Sequence, residues 1–288
     1  MEGYLSIISY YRFRAYTYPF QDNVNPEMDH HFIRNNIRFS DIIKLYYFDK
    51  KLRNLLFKAL GEIEVALRAK IIQVFSEYYG NSHWFSDNSI FNRKEIYSDE
   101  KRGISSYENL AFDIRNEINR SNEDFIIHYK DKYGDPELPP AWMTLEALSF
   151  GTLSRLYKLL LASKQKEKVA NDFGLPNNII LVNWMHAFSA LRNSCAHHSR
   201  IWNRRFIVHL KLPYNTTYNF MDKQSIKKTT DNKVFALLSC IKYLIHRINP
   251  TYDIKKELFA MLQEGGELFS LRDMGFPEKW ESLPIWMD

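Results

Sequence analysis

Leu191-Arg192-Asn193-Ser194-Cys195-Ala196-His197-His198-Ser199-Arg200-Ile201-Trp202-Asn203-Arg204 gathers three arginines, two histidines and two asparagines into one short polar run. It follows an apolar segment of helical period, residues 183–191. Side chains of these types suit cleavage of a phosphodiester without a metal. An imidazole gives or takes a proton near neutral pH. A guanidinium stays charged and binds two non-bridging phosphate oxygens at once. An amide orients the imidazole or donates to the phosphate. On RNA the 2′-hydroxyl is a built-in nucleophile, so the protein supplies acid–base groups and charge stabilisation alone. A blander reading stands beside this one. Arg and His are favoured at a helix C-terminus by the macrodipole, so the run also reads as a solvated basic helix end.

Wound as a helix, Trp184, Phe188, Leu191, Cys195 and His198 fall on one stripe, three or four residues apart. That stripe faces a core, which makes His198 a packed or hydrogen-bonded histidine and Cys195 a buried thiol rather than a nucleophile. His186, Ala190, Asn193 and His197 form a second stripe roughly opposite. Arg192 lies between the two, so one helix does not align it with His197. A compact site then needs bending, side-chain reach or a second copy of the helix.

At these residues the chain resembles a known family. Arg192-Asn193-Ser194-Cys195-Ala196-His197 fits the R-x4-6-H motif of the HEPN superfamily. The longer run RNSCAHHSRIWNR resembles the signature of the Abi-like (AbiD/AbiF) abortive-infection proteins within it. Further blocks resemble the same family: Tyr10-Tyr11-Arg12, KLYYFDKKLRNLL with EIEVALR, AWMTLEALSFGTLSRLY and the tail DMGFPEKWESLPIW. By comparison with that family the chain starts late before Tyr10.

The resemblance implies an all-α, HEPN-type helical bundle with additional N-terminal and C-terminal helices. It implies a metal-independent endoribonuclease, with no cofactor, of a phage-defence or toxin–antitoxin type. In that scheme His197 is the general acid or base, Arg192 stabilises the phosphorane, and Asn193 orients or assists. Arg200, Asn203 and Arg204 grip RNA, and His198 and Glu146 support the site. One motif copy per chain implies a homodimer with a shared cleft. RNA is the substrate, and a small RNA is a candidate regulator. The rival reading is a binding module that holds RNA or protein without turning it over. A third is a metal hydrolase built on His186, His197 and a carboxylate.

The elements that must position the run are legible as periodicity. Residues 41–79 repeat apolar positions at helical spacing from Leu45 to Phe75, with a break or kink expected near Gly61. Within them Glu62, Glu64 and Arg68 are candidates for contact with the cleft, although Glu64 and Arg68 also read as a simple i, i+4 pair. Glu146 reads either as a carboxylate orienting His197 or Arg192 or as a structural salt bridge. Thr152 or Ser154 is expected to cap the helix after Gly151, and Pro176 to open the motif helix from its first turn. Residues 164–168 read as a solvated charged run. His30-His31 reads as a surface loop rather than a metal pair. Trp84, Phe85, Phe276, Trp280 and Trp286 are expected to anchor on the body.

Ten Gly and ten Pro in 288 residues argue against a turn-rich all-β fold. Charged residues at 25% and a net charge of +5 fit a soluble chain that permits an anionic partner. Two cysteines make no disulfide framework, and no apolar run is long enough for a membrane. With no signal-peptide pattern at Met1, the expected compartment is the cytoplasm. The chain reads as one domain over residues 1–288, with a candidate sub-division at the Tyr133–Pro140 turn region into 1–135 and a motif-bearing 136–288.

Overall fold

The computed structural model describes residues 2–22, 37–92, 106–265 and 270–287. His30 and His31 lie outside them. Among the described residues the chain is all-α, with one isolated antiparallel bridge between Phe91 and Leu160. Two short helices, α1 (Glu2–Ile8) and α2 (Tyr10–Thr17), lead into the central helix α3 (Phe39–Tyr79). Then come α4 (Ser106–Arg120), α5 (Asp124–Lys132), α6 (Ala141–Ala147), α7 (Phe150–Leu159) and α8 (Lys164–Asp172). The motif helix is α9 (Asn178–Ala196), followed by α10 (Lys223–Lys228), α11 (Val234–Ile248), α12 (Ile254–Gly265) and α13 (Pro284–Met287).

Helix α3 runs unbroken for 41 residues, about 62 Å at 1.5 Å per residue. The break expected at Gly61 is absent. Leu56, Ala59, Leu60, Ile63 and Leu67 on either side are fully buried, and Gly61 faces solvent where no tertiary contact bends the backbone. The helix stops at Gly80, whose φ of 58° turns the chain while its N–H bonds the Ser76 carbonyl at 3.0 Å. Around this axis pack α2, α6, α7, α8, α9, α11 and α12. One apolar cluster runs through all of them, from Tyr16 to Trp286.

The remaining helices show where short-range signals were misread. Ser149, not Thr152 or Ser154, caps α7, and Glu117 of α4 accepts from Ser149 N at 2.7 Å and Thr152 Oγ1 at 2.6 Å. The supposed solvated run 164–168 opens α8. Its Lys166 is buried and donates to the carbonyls of Lys158 and Leu160 at the end of α7. Pro176 lies outside α9: Asn177 is the cap, its Oδ1 accepting from Ile180 N at 3.1 Å. Trp84, Phe85, Phe276, Trp280 and Trp286 are all buried, as their aromatic surface requires. No helix among the described residues is long and apolar enough to cross a membrane.

Candidate active site

Helix α9 buries Leu181, Trp184, Met185, Phe188, Leu191 and Cys195 against the core. On its opposite side His186, Ala190, Asn193 and His197 are exposed, as the two-stripe pattern required. The C-terminus forms a Schellman turn: His198 N bonds Cys195 O at 3.0 Å and Ser199 N bonds Ser194 O at 2.9 Å. His197 is the cap residue, and His198 takes the left-handed position with φ of 55°. His198 is therefore exposed rather than packed on the apolar stripe. The stripe ends with the helix, and the reversal throws the next side chain outward.

The segment after the turn is held at every step. Arg12 Nη1 of α2 donates to His198 O at 2.9 Å, and Arg53 Nη1 of α3 donates to Ser199 O at 3.3 Å. Arg200 donates to Ala15 O. Asp49 of α3, fully buried, accepts from Ile201 N at 3.0 Å and Trp202 N at 2.8 Å. The same carboxylate takes the Tyr16 hydroxyl at 2.6 Å and pairs with Arg53. A buried charge survives only when paired and saturated with donors, and here four groups do so. Asp49, Arg53, Tyr16 and Arg12 were missed from the sequence. The available signal was a carboxylate and a guanidinium, four residues apart, among the apolar positions of α3.

Arg192 is half-buried beside α3. Its Nε lies 3.8 Å from Glu64 Oε2, its Nη1 donates to Asn193 Oδ1 at 3.5 Å, and its guanidinium lies 6.0 Å from the Phe57 ring centre. Glu64 also accepts from Arg68 at 2.9 Å, so the i, i+4 pair and the contact with Arg192 coexist. Arg68 in turn donates to Leu148 O and lies 3.6 Å from Glu146. Glu146 is thus the partner of Arg68, and Glu64 occupies the place beside Arg192 for which Glu146 was a candidate. Arg204 lies with Arg200 along a groove against α2, whereas Asn203 Oδ1 is buried with no hydrogen-bond partner among the described residues.

Two alternatives lose ground on geometry. Burial pushes the Cys195 thiol up to about 12, with Arg53 opposing and Asp49 reinforcing, so it is no nucleophile at neutral pH. His186 and His197 are eleven residues apart on one helix, roughly 16 Å along its axis, too far to share a metal.

The site is thus a basic, imidazole-bearing helix end, rigidly buttressed in an all-α body, and that defines a class rather than a chemistry. The family model for Abi-like proteins matches residues 3–203, more than half of the chain, and the chain belongs to the Abi-like family. That family suggests a role in phage defence by abortive infection. The match takes in α2, α3 and the whole of α9 and stops at Asn203, so the likeness seen in the tail lies beyond it. Comparison with curated proteins and with solved structures returns no match.

Proposed function

We propose that the chain is a metal-independent endoribonuclease of the HEPN type, acting in abortive infection. His197 exchanges the proton of the 2′-hydroxyl or the leaving oxygen. Arg192 neutralises the phosphorane, and Asn193 orients it. The observation that supports this reading is the coincidence of Arg192, Asn193 and His197 at the solvent-facing end of α9. There Glu64 steadies the guanidinium, and the following residues are clamped by Asp49, Arg53 and Arg12. Catalytic groups need such rigid backing to hold a productive geometry.

His197 lies five positions after Arg192, which sets them about 140° apart around the helix. A second copy supplies the missing half: Arg192 of one copy faces His197 of the other. Exposed Phe57, on the α3 face that carries Glu64, provides an apolar border for that contact. A small RNA regulator would compete for the same cations.

The test is purified protein with labelled mixed-sequence RNA in EDTA, wild type beside Arg192→Ala and His197→Ala. Cleavage by wild type alone, leaving 2′,3′-cyclic phosphate and 5′-hydroxyl ends, is the expected outcome. Activity that survives His197→Ala, or that EDTA abolishes, sinks the mechanism.

A further inference from the structure

Helix α2 and the segment after α9 enclose a groove of about 480 Å³, lined by Tyr11, Arg14, Ala15, Tyr18, Arg200 and Arg204. Its volume is that of a small-ligand site. Tyr11 is 84% exposed and Tyr18 50%, so both rings offer surface to the groove they line. Three guanidinium-bearing residues line it, Arg14 from α2 and Arg200 and Arg204 from the segment after α9. Burial pulls the Arg200 guanidinium's pKa down and the Arg204 charge adds to that pull. Asp49, Tyr16 and Tyr18 oppose it, and the Asp49 carboxylate is already engaged by Tyr16, Arg53 and two backbone N–H groups. An anion in the groove would favour the charged form of Arg200 against burial and Arg204.

We propose that this groove is a subsite for one nucleotide of single-stranded RNA, its base stacked on Tyr11 and Tyr18 and its phosphate held by Arg14 and Arg204. Arg200, bonded to Ala15 O, forms the floor. An acidic peptide would use the arginines but leave the tyrosine rings idle, whereas every base offers a face to stack. Duplex RNA keeps its bases inside the stack and cannot present one. The position fits a strand that continues past the cleavage site. Arg200 is three residues beyond His197, so their Cα atoms are at most about 11 Å apart. The assignment deepens the nuclease reading and rests on it for the choice of RNA as ligand.

The experiment is fluorescence anisotropy with labelled mixed-sequence single-stranded RNA, using His197→Ala protein as the non-cleaving parent. Adding Tyr11→Ala should weaken binding about tenfold and leave the salt slope unchanged, while Tyr11→Trp restores affinity. Adding Arg204→Ala should weaken binding and reduce the slope of log affinity against log salt by about one. Tyr11→Ala should leave binding of the matching duplex unaltered. Helical circular dichroism and the urea midpoint of each variant check that it has folded. Parent-level affinity in a folded Tyr11→Ala or Arg204→Ala variant overturns the subsite, as does a parent that binds no single-stranded RNA. A polyglutamate peptide that binds with the same dependence on the Tyr11 ring also overturns it. The two readings fail separately: cleavage by wild type with groove variants that bind normally removes the subsite alone. Tyr11-dependent binding without cleavage removes the nuclease alone.

Discussion

His198 occupies the left-handed position that a helix C-terminus ordinarily gives to glycine. An L side chain there costs roughly 1–2 kcal/mol of backbone strain. His198→Gly should therefore raise stability by about 1 kcal/mol in urea unfolding, less the entropy that glycine gains in the unfolded chain. A fall in RNA cleavage alongside that gain would mark the imidazole as useful. No gain in the urea midpoint would refute the strain. The sequence misplaced this residue because the three-and-four spacing from Trp184 to Cys195 continues into it, two residues after the helix has ended. The same stripe placed Cys195 correctly, since that residue still lies inside the helix. With both cysteines buried and the Cys195 thiol pushed up to about 12, the folded protein should react slowly with a thiol reagent at pH 8 and rapidly in denaturant. A fast native thiol would reopen the case for a nucleophile. Glu64 was half legible: Arg68 is four residues away in sequence, but Arg192 is brought beside it only by the docking of α9 on α3.

At the level of elements, α3 does more than bury apolar surface. Its residues Asp49 and Arg53 are 0% and 4% exposed and fasten the chain beyond α9. Asp49→Ala strands a buried guanidinium and releases the Ile201 and Trp202 N–H groups, which should cost about 3–5 kcal/mol. A urea midpoint unchanged by this substitution would show that the clamp is dispensable. Periodicity revealed α3, α9 and α11 because their apolar positions repeat over many turns. It did not reveal the clamp, because a buried carboxylate is recognised by its donors, and the two backbone N–H groups among them lie about 150 residues away in the chain. Local chemistry misled in the same way at α8, where Lys166 looks solvated until the carbonyls it caps are known. The expected break in α3 failed because a single solvent-facing glycine costs only about 1 kcal/mol, less than the apolar contacts on either side supply.

For the whole molecule, low Gly and Pro content argued against a turn-rich all-β fold, and the family resemblance supplied the all-α class that the structure has. They could not establish which faces of the helices remain uncovered. Exposed Phe57 beside Arg192 belongs to that second kind of knowledge. If the site is shared between two copies, a mixture of Arg192→Ala and His197→Ala proteins, each inactive alone, should recover activity. Random pairing makes half of the dimers mixed, each with one intact site of two, so about a quarter of wild-type cleavage should return. A mixture that stays inactive while light scattering shows dimers would place the whole site within one copy.

The long sequence separation of the Asp49 clamp also bears on synthesis. Arg12, Asp49 and Arg53 emerge from the ribosome well before the residues they hold, Asp49 by 152 residues relative to Ile201. At ~5–20 residues per second that interval is on the order of 10–30 s. Through all of it the nascent chain carries half of a buried ion cluster and no helix end to fasten. The helix end that carries Arg192 and His197 is thus unbuttressed until translation has passed Trp202, and an interrupted message yields only fragments without the clamp.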